Sequence, residues 1–321
     1  MGEFDLIARF FTRPGRGEGG VVVQGIGDDC AVLGPTPGMQ WLVSTDMLVE
    51  GRHFLSTVAP ERLGHKALAV NLSDLAACGA TPRAFFLSLA LPRADETFLA
   101  GFAEGLFALA DVHGIVLAGG DTTAGPLNIS ITVMGEAPRG QALLRDGARP
   151  GDQIWVSGRL GDARLALEMF RGRVALPGEQ FQRVRDAMEC PQPRVALGQA
   201  LRGLASSAID LSDGLLGDLG HVLKRSGVGA TLALAALPRS EVLAAQPAAL
   251  QRLCLLAGGD DYELVFTAPA AEQAAVRAAA AACATPVTCV GCIDAQAGLR
   301  VLDEAGQFLS AMPDGFDHFK S

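Results

Sequence analysis

The chain has 321 residues, 49 % hydrophobic and 19 % charged, with a formal net charge of −9. That length and apolar content exclude a disordered chain and suit two globular domains. The acidic balance leaves no basic excess to neutralise a phosphate backbone, which argues against nucleic acid as a partner.

The N-terminal "MGEFDLIARFF" carries Glu3 and Asp5 and lacks the basic start and long apolar run of a signal peptide. No apolar run approaches the roughly 18 residues of a membrane span, so no membrane partner is expected. Strands are predicted at 21–24, 41–45, 85–91, 115–118 and 129–135, the last alternating with period two. A helix is predicted over 60–78, with Pro60 in its first turn and Gly79 and Pro82 stopping it. A second helix covers 95–113, with Asp95 as N-cap. Turn signals crowd residues 135–153, "GEAPRGQALLRDGARPGDQ", which mark a domain junction. Beyond it, "DQIWVSG" reads as a strand, 161–170 and 274–284 as helices, and "PVTCVGCI" and "LRVLDEAG" as strands. The seven cysteines are an odd number in mostly apolar contexts, which fits reduced thiols in a cytoplasm. Cys289 and Cys292 form one CxxC with no second pair nearby. They read as two small residues of a buried strand rather than as a zinc site.

One theme recurs in both halves: strand, glycine, aspartate. Asp28 and Asp29 stand in "GIGDD", Asp46 in "WLVSTDML", Asp121 in "GIVLAGGDTT", Asp210 and Asp213 in "AIDLSDG", and Asp260 and Asp261 in "AGGDDYEL". Asp74 is stranger. It falls mid-helix on a face set by Leu63, Ala67 and Val70, with Asn71 close by, and a carboxylate there needs a partner. One such aspartate is an ordinary cap or turn former. Six sites in small-residue surroundings, with almost no lysine near them, point to a divalent cation. Hard oxygens, Ser44 and Thr45 included, suit Mg²⁺. Magnesium on carboxylates suggests phosphate chemistry, yet the chain has no G-x-x-x-x-G-K-[ST]. "GGDTT" and "LSDG" are instead expected to offer backbone N–H groups at helix or turn starts. Tyr262 and Trp41 read as core. His65, His113, His221 and His318 read as structural.

The motifs "GIGDDCAVL", "STDMLVEGRHF", "HKALAVNLSDLAACGATP", "AGGDTTAGPL", "AIDLSDGLLGDLGH" and "GGDDYEL", in this order, with a closing "DGFDHF", resemble the thiamine-monophosphate kinase family nearly end to end. Its wider superfamily includes aminoimidazole ribonucleotide synthetase, selenophosphate synthetase and a hydrogenase-maturation protein. The resemblance implies a two-domain α+β architecture like that of aminoimidazole ribonucleotide synthetase. Residues 1–138 would be an α/β metal-, ATP-binding and dimerisation domain with a mixed sheet. Residues 139–321 would be an α+β domain completing the nucleotide and substrate site. It implies direct, in-line transfer of the γ-phosphoryl of ATP to thiamine monophosphate in a cytoplasmic homodimer. By motif match, Asp29, Ser44, Thr45, Asp46, Asp74, Asp121, Asp210 and Asp213 would hold several Mg²⁺ ions, with Asp28 as accessory ligand. Asp46, Asp74 and Asp121 would be the catalytic charges. Gly120, Asp121, Arg145 and Ser212 would contact ATP, and His53 the thiamine phosphate. The family's substrate-binding Glu falls on Asp260, and its C-terminal aromatic, often Tyr, on Phe316. Asp is one methylene shorter; Phe keeps the stacking face.

Rival readings are another superfamily enzyme, aminoimidazole ribonucleotide synthetase first, a non-catalytic metal- or nucleotide-binding regulator, and a metal-dependent phosphatase. Selenophosphate synthetase needs a reactive cysteine or selenocysteine in a glycine-rich N-terminal segment, and residues 13–20, "RPGRGEGG", contain none.

Overall fold

The alternation in "NISITVMGEAP" builds the strand around which the N-terminal half is organised. A computed structural model describes residues 2–13 and 20–313, and Phe316 and His318 lie outside the described residues. Contacts divide the chain into two units, 1–75 with 80–140, and 76–79 with 141–321.

The first unit contains α1 (Glu3–Leu6), β1 (Val22–Gln24), β2 (Val32–Leu33), β3 (Met39–Val49), α2 (Pro60–Ala77), β4 (Thr81–Leu91), α3 (Glu96–His113), β5 (Val116–Ala124) and β6 (Asn128–Pro138). Its main sheet runs β3-β6-β4-β5, and β1 and β2 form a separate ribbon. β6 is central because its alternation fits a strand with one face in a core. Ile129, Ile131 and Val133 are at most 1 % exposed, whereas Ser130, Thr132 and Met134 between them are only partly covered. Asp95 caps α3 by accepting from the N–H groups of Thr97 and Phe98, and Gly114 closes it in a left-handed conformation. Leu99, Phe102 and Leu106 of α3 and Leu68, Leu72 and Leu75 of α2 are fully or almost fully buried.

Two expectations about this unit need correction. β3 and β5 do not stop where the carboxylates begin. β3 pairs with β6 along all eleven residues, so Ser44, Thr45 and Asp46 sit mid-strand. β5 pairs with β4 through Gly119, Gly120, Asp121 and Thr122, so "GGDTT" is extended strand and not a turn or helix start. The ladder supplies backbone bonds that local propensity does not. Trp41 is half-buried on the edge strand rather than core.

The second unit contains β7 (Asp152–Ser157), α4 (Asp162–Phe170), α5 (Gly178–Glu189), α6 (Val195–Ala200), β8 (Ser207–Asp210), α7 (Leu215–Ser226), β9 (Gly229–Ala233), α8 (Glu241–Ala244), α9 (Ala248–Ala257), β10 (Leu264–Pro269), α10 (Gln273–Ala282), β11 (Val287–Asp294) and β12 (Gly298–Leu302). Its six-stranded sheet runs β12-β9-β11-β7-β10-β8, antiparallel except for β9 with β12. One face carries the core, in which Ile154, Val156, Ile209, Val265 and Val290 pack with Leu165, Leu219 and Leu255 of the helices. The other carries Trp155, stacked on Phe266 with centroids 6.4 Å apart and covered by the guanidinium of Arg277 at 5.0 Å. Tyr262 is buried, 8 % exposed, as its apolar context suggests. The CxxC expectation fails in part: β11 is an interior strand, but Cys292 is exposed and Cys289 half-buried.

Candidate functional site

In the first unit the expected ligands sit on a sheet. Ser44 lies opposite Val133 and Asp46 opposite Ile131, so both belong to the face that α2 covers. There the Ser44 hydroxyl donates to the carboxylate of Asp74 on α2. One turn back, Asn71 Oδ1 accepts from the Asp46 backbone N–H at 3.1 Å, while its amide donates to the Ala67 carbonyl at 2.9 Å. Asp74 therefore has the partner its apolar helix face requires, and α2 clamps the edge strand where the acids stand. Thr45 faces the other way. Its hydroxyl meets that of Thr132 at 2.8 Å across the ladder. Asp121 stands opposite Ser88, itself opposite Ser130, on this second and more open face. Gly120 permits the approach of β5, since a Cβ there would lie 1.9 Å from the Leu87 carbonyl oxygen, and its φ is +152°.

Asp28 and Asp29 are exposed between β1 and β2. Asp28 Oδ1 accepts from the Asp29 N–H at 2.8 Å. The adjacent carboxylates are thus compatible in one immediate way: the first caps the amide of the second. His53 closes a turn after β3, its Nδ1 accepting from the Val49 N–H at 3.0 Å. An accepting Nδ1 assigns the neutral ring's hydrogen to Nε2, a donor suited to a phosphate.

In the second unit the expected residues sit on loops. "LSDG" follows β8, and "GGDDYEL" precedes β10. The Asp260 N–H donates to the Ser212 carbonyl at 2.9 Å, the Tyr262 N–H to the Leu211 carbonyl at 2.8 Å, and the Leu211 N–H to the Glu263 carbonyl at 2.8 Å. The two loops are therefore one interlocked body. Asp260 and Tyr262 both have positive φ, 67° and 48°, a strained choice for non-glycine residues that the interlock enforces. The Tyr262 hydroxyl donates to Asp260 Oδ1 at 3.1 Å. Asp210 is 5 % exposed at the end of β8. Arg145 is exposed, with its carbonyl accepting from the Ser226 hydroxyl at 3.4 Å.

Acids outside the expected set hold this body. Asp218 accepts from the N–H groups of Asp213 and Gly214 at 3.1 and 3.0 Å. Burial, and then the nearby Asp213 charge, push its carboxyl up to about 7. Asp261 accepts from the Gly161 N–H at 2.9 and 3.1 Å, and burial raises it well above the usual carboxylate range. Glu263, 6 % exposed, takes two bonds from the Arg194 guanidinium and one from the Ser157 hydroxyl. Sequence reading missed these roles. Asp218, five residues beyond Asp213, was the detectable signal for a carboxylate turned back onto its own turn. Arg194 and Glu263 are 69 residues apart, with nothing local to link them.

The expected set thus divides. Asp28, Asp29, Ser44, Thr45, Asp46, His53, Asp74, Gly120 and Asp121 belong to the first unit, and Arg145, Asp210, Ser212, Asp213 and Asp260 to the second. Among the described residues, no three His, Cys, Asp or Glu side chains form a ready metal-holding group. What each unit does offer is a set of hard oxygens, the donor chemistry that Mg²⁺ takes.

Residues 27–137 match the N-terminal domain model of the AIR synthase related proteins, and residues 149–304 match the C-terminal one. The chain is 44 % identical over 321 residues to thiamine-monophosphate kinase of Salmonella typhimurium, covering 99 % of this chain and 98 % of the relative. A crystal structure of thiamine-monophosphate kinase from Stenotrophomonas maltophilia K279a superposes with a TM-score of 0.84 at 44 % identity, covering 93 % of this chain and 94 % of that one. A second solved chain, AaThiL complexed with AMPPCP and TMP, superposes with a TM-score of 0.77 at 29 % identity over 89 % of each. With both domain models matched in order and the likeness running from end to end, the chain belongs to the thiamine-monophosphate kinases of the AIR synthase related family.

Proposed function

We propose that this protein transfers the γ-phosphoryl group of ATP to the phosphate of thiamine monophosphate, giving thiamine diphosphate and ADP. The observation that carries the reading is the end-to-end identity of 44 % to a thiamine-monophosphate kinase. The solved relative that holds both AMPPCP and TMP supports the choice of co-substrate and acceptor.

The roles assigned to the chain's residues are those that the family resemblance implies. Asp29, Ser44, Thr45, Asp46, Asp74, Asp121, Asp210 and Asp213 are the oxygens that would hold Mg²⁺, with Asp28 as accessory. Bound Mg²⁺ would offset the charge of the transferring phosphoryl group, which is most of what a kinase must supply. Water and phosphate oxygens of the substrates would complete its coordination, as magnesium prefers. The clamp from Asn71 and Asp74 fixes Asp46 on the edge strand. Gly120, Asp121, Arg145 and Ser212 contact ATP. His53 donates from Nε2 to the acceptor phosphate, and Asp260 and Phe316 receive the thiamine end. Residues 1–138 would then act as the metal- and ATP-binding domain and 139–321 as the domain that completes the site.

We read the enzyme as a homodimer through the first unit. Val43 and Met47, 58 % and 55 % exposed, share the open sheet face with Thr45, and large apolar side chains so placed suit a partner surface. We read it as cytoplasmic from its odd number of cysteines in mostly apolar contexts. No helix among the described residues is long and apolar enough to cross a membrane.

Incubation with ATP, Mg²⁺ and thiamine monophosphate, followed by chromatography, tests the proposal. Thiamine diphosphate and ADP should appear in equal amounts. Phosphate release without thiamine diphosphate would favour the phosphatase reading. Because transfer is direct, initial-rate plots should intersect, and a trapped phospho-enzyme would overturn that step.

A further inference from the structure

The CxxC of β11 has no part in phosphoryl transfer, and its geometry is unusual. In a regular strand, residues three apart point to opposite faces. β11 is not regular. Cys289 lies opposite Trp155, Gly291 opposite Ile154, and Cys292 opposite Gln153, so Val290 is an extra residue in the ladder. The bulge brings the two cysteines onto one face, two ladder positions apart. Burial agrees: Val290 and Ile293 turn into the core at 1 % and 2 % exposure, while Cys289 is half-buried and Cys292 exposed. Gly291 allows the close passage, since a Cβ there would meet the Thr231 carbonyl oxygen at 2.2 Å.

Neither cysteine is in a disulfide, and the Cys289 thiol donates weakly to the Gly291 carbonyl at 3.8 Å. Same-face neighbours on a strand stand about 6.6 Å apart between Cα atoms, at the far end of the range that a disulfide bridges. A thiolate–metal bond is about 2.3 Å long, as for zinc, so two of them reach across a wider gap than one sulfur–sulfur bond of about 2.0 Å. Gln153, directly opposite Cys292, has a buried Oε1 with no hydrogen-bond partner. The Cys292 thiol donates weakly to Asp294 Oδ1 at 3.9 Å, while Asp294 Oδ2 accepts from Thr231 and Arg300 at 2.7 and 2.8 Å. Among the described residues no third His, Cys, Asp or Glu joins the pair in metal-holding geometry. That set is short of the four ligands of structural zinc. It suits a soft ion satisfied by two thiolates and a weak neutral oxygen.

We propose that Cys289 and Cys292 form a binding site for a soft monovalent metal ion of the Cu(I) class, with Gln153 Oε1 as an auxiliary donor. Binding replaces two S–H bonds with two S–metal bonds and releases two protons, so affinity falls as pH falls. The site is separate from the kinase residues, and its occupancy can be read without any activity measurement.

The test is an anaerobic titration of the intact protein with Cu(I) against a chromophoric Cu(I) chelator. Wild type should take one equivalent from the chelator. Outer-shell changes alone cost about 10–100-fold in metal affinity, so Cys289→Ser and Cys292→Ser should each lose at least about 100-fold. Cys30→Ser, at an exposed lone thiol, should lose nothing. A second measurement needs no variant. One equivalent of Cu(I) should shield Cys289 and Cys292 together from iodoacetamide, read by peptide mass, while Cys30 stays reactive. Wild-type affinity in both serine variants, or shielding that reaches only one of the pair, overturns the proposal.

Discussion

The two units present their acids in opposite ways. In the first, Ser44 and Asp46 stand on the edge strand under α2, Asp74 on α2 itself, and Asp121 on the open face of the sheet. In the second, Asp218, Asp261 and Glu263 are spent on backbone N–H groups and on Arg194, and the loops that carry Asp213 and Asp260 depend on them. Of the site acids, those of the first unit are placed for a ligand, whereas the second unit spends neighbouring charge on holding its loops. Substitutions in the first should therefore change rate with little change in stability, and substitutions in the second should do the reverse.

The largest expected effect tests the second half of that comparison. Arg194→Ala leaves Glu263 buried without its cation, and breaking a buried pair in this way costs about 3 kcal/mol or more. Chemical denaturation should show that loss, and Arg194→Ala with Glu263→Gln should recover part of it. An Arg194→Ala protein of wild-type stability would mean that the interlocked loops hold themselves.

Next comes the first half. Asp46→Asn should lower kcat by at least about 100-fold, the scale of a lost electrostatic stabiliser, with the fold retained because the ladder and the Asn71 contact use its backbone. Near wild-type turnover in a folded Asp46→Asn enzyme would remove this residue from the catalytic set. The same logic predicts a ligand effect. Mg²⁺ with a non-hydrolysable ATP analogue should stabilise by roughly 2.7 kcal/mol at 100 times Kd, more than the two added separately. Equal stabilisation in EDTA would show that the carboxylates are not metal ligands.

Asp260 sharpens the boundary between the two behaviours, because it is a substrate candidate in the structural unit. Asp260→Ala should raise KM for thiamine monophosphate by about tenfold, the worth of one charge-assisted contact, and leave KM for ATP nearly alone. Equal changes in both would move Asp260 to the metal set.

The smallest effect is in pH dependence, and its sign should differ between two groups, one in each unit. Burial raises Asp162, in the second unit, above the usual carboxylate range, against the opposing pull of Ser240 and Arg159. The folded state then holds that proton when the unfolded chain has lost it, so stability is lost as pH rises through the folded value. Asp162→Asn should be more stable than wild type at neutral pH, by less than about 1 kcal/mol, and the gain should vanish on acidification toward the ordinary carboxylate value. His113, in the first unit, is lowered by burial and by His65. The unfolded chain takes up that proton first, so stability is lost as pH falls below the ordinary histidine value. His113→Gln should flatten that decline, and a melting-temperature series across pH on both variants reads the two signs.

The sequence by itself determined whatever depends on near neighbours. Asp95 could be read as a cap because an N-cap needs only the next three residues. The period of "NISITVM" set which side chains of β6 enter the core, and the six aspartate motifs in order were enough for the family. Tertiary structure decided what depends on partners far along the chain. β3 and β5 extend through their acids because β6 and β4 supply hydrogen bonds there. Arg194 and Glu263 meet only when β10 and α6 are in place. Cys289 and Cys292, three residues apart and destined for opposite faces in a regular strand, reach one face because a single extra residue is accommodated against β7. Local preference is worth a few tenths of a kilocalorie per residue, whereas leaving a buried ladder group or one member of a buried ion pair without its partner costs more. Where the two disagreed, the long-range partner won.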